Sequence, residues 1–132
     1  MEIKQHKVQI KHSEIFLDEE GILWLVPDAD ADIDLEEVKA CYDTYEKMGF
    51  NKDNKVLQII DIKGSASLTK EARDFAVANG SKFFLASAVI SNNLSVRLIV
   101  NFFNLFYKSQ PVPFKMFDSE ENAKKWLRKF LQ

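Results

Sequence analysis

Apolar residues recur along this chain in two rhythms, and the change between them separates strands from helices. Near the N-terminus the rhythm is short. Val8 and Ile10 alternate with polar neighbours, and the apolar runs Ile15 to Leu17 and Ile22 to Val26 flank the turn Asp18, Glu19, Glu20, Gly21. This pattern predicts a β-hairpin, with Val8 and Ile10 either extending its first strand or forming a short strand before it. From Leu35 the spacing lengthens: Leu35, Val38, Tyr42 and Tyr45 recur at three, four and three residues, which places them on one face of a helix. Asp34 stands where an N-cap is needed, Glu37 fits the capping-box position, and Gly49 supplies a C-terminal stop.

Val56 to Ile62 is nearly all apolar and rich in β-branched residues, as a central strand covered on both faces must be. After a turn at Gly64, Thr69 can cap a second helix that carries Ala72, Phe75 and Ala76 inward and ends at Gly80. Phe83 to Ile90 reads as the next strand. Ser91, Asn92 and Asn93 offer caps for a third helix, in which Leu94, Leu98, Ile99, Phe102, Phe103 and Phe106 leave a narrow polar edge at Arg97, Asn101 and Asn104. So apolar a helix is expected to be heavily covered, by the sheet and by a neighbouring subunit. Pro111 and Pro113 stop it, Phe114 to Phe117 reads as a last strand near the sheet edge, and Asp118 with Glu121 caps a final helix bearing Ala123, Trp126, Leu127 and Phe130. Strands first, then helices and strands in alternation, argue for an α/β domain spanning 1–132. Its mixed sheet has about five strands, an N-terminal hairpin and four flanking helices.

Composition narrows the function classes. Eighteen Lys and Arg against twenty Asp and Glu give a net charge of −2, so no global basic field exists to hold nucleic acid. The single cysteine, Cys41, cannot form an internal disulfide and falls among the apolar positions of the first helix, which fits a packed thiol in a reducing cytoplasm. No apolar run approaches the roughly 18 to 20 residues that span a bilayer.

A candidate turn, for chemistry or for contact with a partner, lies where the central strand ends. Asp61, Ser65 and Ser67 fall there, with Lys70 and Arg73 on the next helix, yet both histidines, His6 and His12, lie in the first twelve residues and no base is specified beside either serine. Asp61 with Glu71 is the only carboxylate pair offered for acid–base work, and a strand-end Asp ordinarily accepts hydrogen bonds from the following turn. The alternation of Asp28, Asp30, Asp32 and Asp34 suggests a calcium loop, but the required glycine and glutamate positions hold Ile33 and Lys39. The acids read instead as a solvated approach to the positive end of helix one. Lys124, Lys125, Arg128 and Lys129 form a basic edge on the last helix that dipole placement and solvation explain. No catalytic set, metal site or cofactor motif emerges. Phe102, Phe103 and Phe106 remain as a candidate apolar pocket for a small molecule or lipid.

The blocks EIFLDEEGILWLV, DLEEVKA, LQIIDIKG followed by EARDFA, and RLIVNFFNLFYKSQPVPFKMFDSEENAKKWL resemble the STAS family, named for sulfate transporters and anti-sigma-factor antagonists. They are most similar to its small stand-alone bacterial members of unassigned function. The resemblance runs from Ile15 to Phe130 and implies the fold of the sporulation anti-sigma-factor antagonist. Signalling members of that family carry a phosphorylatable serine in a pattern resembling Asp-Ser-Ser/Thr-Gly; aligned on Asp61, it falls on Thr69, Lys70, Glu71 and Ala72, where no serine stands. The resemblance therefore implies a non-enzymatic binding or regulatory domain without the phosphoserine switch. Such a domain would act on a protein partner or on itself as a homodimer, with an apolar small molecule as the alternative.

Overall fold

The computed structural model describes residues 7–106 and 112–131, which form eight strands and four α-helices. The hairpin is β2 (Ser13–Leu17) against β3 (Leu23–Pro27), with Phe16 opposite Trp24, and β1 (Val8–Ile10) is a separate strand antiparallel to β2. Then come β4 (Ala31–Ile33), α1 (Leu35–Lys47), β5 (Val56–Asp61), β6 (Ala66–Leu68), α2 (Lys70–Asn79), β7 (Phe84–Ile90), α3 (Leu94–Phe106), β8 (Phe114–Phe117) and α4 (Glu120–Leu127). The main sheet has six strands in the order β1-β2-β3-β5-β7-β8, parallel from β3 to β8. It is mixed, as the element order implies, with β5 central and β8 at an edge.

Strand alternation assigns the helices to faces. Leu57 and Ile59 of β5, Ala86 and Ala88 of β7, and Trp24 of β3 face α4, where they meet Ala123 and Leu127. The alanines let that helix lie close over β7. On the opposite face Ile15, Leu23, Val56 and Phe84 pack against Cys41 and Tyr45 of α1, Phe84 reaching that face because the β5–β7 register slips by one residue between Phe84 and Ala86. Val89 on the same face receives Val96 and Val100 of α3.

Four expectations need correction. A second sheet exists: β4 and β6 pair in parallel, Ala31 with Ala66 and Ile33 with Leu68, so the acidic run and the Ser65 to Ser67 turn are partly strand. The buried faces of Ile33 and Leu68 pack with Val38 and Ala72, and this burial drives a pairing that three-residue runs do not signal. Asp34 caps α1 by accepting from the Glu37 amide at 2.9 Å, but the Glu37 carboxylate turns away to accept from Ser13 Oγ and His12 N, so the capping box is half made. The final helix is capped by Ser119, whose hydroxyl accepts from the Asn122 amide, rather than by Asp118. Within one chain α3 is covered on one side only: Val96, Val100 and Phe103 face inward, while Leu94, Leu98 and Leu105 are 69%, 61% and 59% exposed. Overall apolarity predicted coverage; the i, i+4, i+7 geometry covers only one side.

Candidate functional site

Between the sheet and helices α1, α2 and α3 lies a cavity of about 180 Å³. Its walls are apolar: Val38 and Cys41 from α1, Ala76 and Val77 from α2, Val96, Val100 and Phe103 from α3, with Ile33 and Leu68 of the small sheet along one side. Gln58 and Ser87 line it from the sheet, and Tyr45 lines it from α1. These polar groups meet one another. Ser87 Oγ donates to Gln58 Oε1 at 2.8 Å, and Gln58 Nε2 donates to the Tyr45 hydroxyl at 3.4 Å. Parallel pairing places Gln58 directly beside Ser87, so the strand register creates the first bond.

The surroundings penalise charge. Burial pushes the Cys41 thiol up to about 12, with the nearby Glu37 carboxylate adding to the shift. Burial likewise holds the Tyr45 phenol well above its ordinary value, with Cys41 and Tyr42 adding and the Gln58 bond opposing. Glu37 is itself buried. One of its oxygens accepts from Ser13 Oγ at 2.7 Å, and the other has no hydrogen-bond partner among the described residues.

The small sheet along the cavity is tied down by side chains. Asp30 Oδ1 accepts from both the amide and the hydroxyl of Ser65 at 2.9 Å, and these two bonds hold its carboxyl below the usual range. The Ser67 hydroxyl donates to Asp32. Asp30 has φ 60°, a left-handed conformation that Asp tolerates better than most residues. Gly64 is required at its place, because φ is +77° and a Cβ there would sit 2.7 Å from Asp30 Oδ1.

The residues singled out from sequence are thus dispersed. Asp61 ends β5 and pairs with Lys63 at 3.2 Å. Ser65 and Ser67 serve the small sheet, and only Ser67 of the two borders the cavity. Lys70 pairs with Asp74 one turn along α2. Arg73 lies over the Phe102 ring at 5.2 Å and its Nη1 donates to the Leu68 carbonyl. Of the three phenylalanines, Phe103 lines the cavity, Phe102 faces Arg73 on the rim of α3, and the side chain of Phe106 lies outside the described set. His6 is also outside it. Among the described residues no group of three or more His, Cys, Asp or Glu could hold a metal ion, and no helix is long and apolar enough to cross a membrane.

Sequence reasoning missed Gln58, Ser87 and Tyr45 as a set. Gln58 was the available signal, a polar residue inside the otherwise apolar run of β5. It also missed a charge cluster on the far face, where the basic edge of α4 is only partly solvated. Lys124 Nζ lies 3.1 Å from Asp18 and 3.0 Å from Glu120, and both lysine and Asp18 side chains are 14% exposed. Asp18 also accepts from Trp24 Nε1 at 2.8 Å and from the Ile22 and Glu20 amides. Burial alone would raise its carboxyl; these bonds outweigh burial and hold it low.

Taken together, the six-stranded mixed sheet with helices on both faces defines a SpoIIAA-like, or STAS-like, α/β fold. The chain is similar, at TM-score 0.59 and 19% identity, to the crystal structure of an uncharacterized protein of the DUF3478 family with a SpoIIAA-like fold from Shewanella loihica PV-4. The alignment covers 91% of this chain and 98% of that one. The chain belongs to the family described as a domain of unknown function, DUF7793, whose profile matches residues 15–131. No curated protein matches it.

Proposed function

We propose that this chain is a non-enzymatic binding domain whose cavity takes a small, largely apolar molecule. The observation that carries the reading is the cavity itself, about 180 Å³ and walled by side chains from the sheet and three helices. An apolar cavity of roughly 150 Å³ is enough to stay dry and admit benzene, so this one, at about 180 Å³, suits a ligand somewhat larger than benzene, of about seven to nine heavy atoms. The weight moves from the protein-partner expectation to the small molecule because Asp61, Ser65 and Lys70, the proposed interaction turn, are engaged with Lys63, Asp30 and Asp74.

Native mass spectrometry of protein purified from its own host tests the reading, alongside Val77→Phe, which fills the cavity. A co-purifying mass present in the wild type and lost in the variant is expected. Equal adduct on both proteins, or none on either together with no stabilisation by added ethylbenzene, would remove the reading.

A second reading is self-association through α3. It is favoured by one observation, the exposed stripe of Leu94, Leu98 and Leu105. The two readings use opposite sides of the same helix and are separable by mutation.

A further inference from the structure

The polar floor of the cavity has an imbalance that its apolar walls do not explain. Ser87 donates to Gln58 Oε1, and Gln58 Nε2 donates one of its two protons to the Tyr45 oxygen. That leaves the second carboxamide proton and the Tyr45 hydroxyl proton as donors without an acceptor among the described residues. Both side chains are almost wholly buried and both line the cavity. A buried donor left unmade costs free energy unless something supplied later accepts from it.

The charge around the floor limits what that acceptor can be. The described lining residues include no Lys, Arg or His. The buried Glu37 carboxylate sits behind Ser13, itself a lining residue. An anion would lose its hydration, meet no cation and face a like charge. Resting on the cavity reading proposed for this domain, we infer that the ligand carries one uncharged hydrogen-bond acceptor, a carbonyl or ether oxygen, received by Tyr45 and Gln58. Its apolar remainder lies against Val38, Val96, Val100 and Phe103. Aldehydes, ketones, esters and ethers of compact aromatic or aliphatic molecules fit this description; carboxylic acids in their ionised form do not.

Three probes of matched size separate the parts of this inference: ethylbenzene, acetophenone and benzoate, titrated by calorimetry into wild type, Tyr45→Phe and Gln58→Met at neutral pH. Acetophenone is compared across proteins rather than with ethylbenzene directly, because its greater solubility in water lowers its affinity for any apolar site. Removing the hydroxyl should weaken acetophenone about 3- to 10-fold, the range expected for one hydrogen bond, and leave ethylbenzene unchanged. Gln58→Met should repeat the pattern if Tyr45→Phe disturbs the fold. Benzoate should bind wild type at least about 100-fold more weakly than acetophenone, in line with the cost of burying an unpaired charge.

If ethylbenzene and acetophenone both bind but neither variant distinguishes them, the polar-floor inference is overturned and the cavity reading stands. Benzoate binding as tightly as acetophenone overturns the requirement for an uncharged acceptor. If neither neutral probe binds wild type, the cavity reading falls and takes this inference with it.

Discussion

Ser87 donates its hydroxyl proton to Gln58 Oε1 across 2.8 Å between neighbouring strands, and Gln58 Nε2 donates in turn to the Tyr45 oxygen at 3.4 Å. With the oxygen engaged by Ser87, the nitrogen is left toward the phenol. The floor of the cavity therefore presents donors.

Replacing Ser87 with Ala leaves a buried carboxamide oxygen without a donor. A loss of about 1–3 kcal/mol is expected, read from urea unfolding. Adding Gln58→Leu removes the stranded group, so the double variant should lose less than the sum of the singles. Strict additivity would show that the two side chains do not act together.

Asp18 makes the far face pH-dependent. Its folded carboxyl titrates below the unfolded value of about 3.9, so its contribution is complete above that value and is lost as pH falls through the folded one. Asp18→Asn should cost about 1–3 kcal/mol at neutral pH. The gap between the two proteins should close in strong acid. Urea midpoints from neutral pH down into strong acid measure this, and a gap independent of pH would contradict the assignment.

Gly64→Ala forces a left-handed residue with a Cβ against Asp30 Oδ1. A cost of about 1–2 kcal/mol is expected from conformation alone. Its signature should be local: faster hydrogen exchange at the Ser65 amide and through β4 and β6, with β5 protected as before. Uniform loss of protection would mean that the small sheet does not open separately.

The two sides of α3 should respond differently to change. Val100→Ala opens the packed side and should cost about 1–3 kcal/mol. Leu98→Lys, on the exposed side, should alter stability by less than about 0.5 kcal/mol. Under the self-association reading it should also convert a dimer into a monomer in sedimentation velocity. A wild-type chain that is already monomeric at high micromolar concentration would remove that reading.

Much of this fold was legible because turn chemistry and hydrophobic period agreed. The hairpin around Gly21, the buried run at Val56 and the caps at Asp34, Thr69 and Asn93 each point to one element, and the structure places them there. Where period and burial part company, reading by pattern fails. The Asp30, Asp32 and Ser65, Ser67 alternations are both of period two, the mark of strands, but each run is only three residues long and its partner is 35 residues away. The STAS-like fold was readable from blocks of sequence that lie along whole elements. The polar floor was not, since it depends on a register that sets Gln58 beside Ser87 and on a helix that lowers Tyr45 onto them.

The cavity is tested most directly by methyl-resolved NMR of the wild-type chain during a titration with ethylbenzene. Saturable shifts are expected at the methyl groups of Val38, Val96 and Val100, which line the cavity, and none at Val26, which packs on the opposite face. Absence of saturable shifts at the lining valines, or equal shifts at Val26, would contradict a ligand-binding cavity between the sheet and α1, α2 and α3.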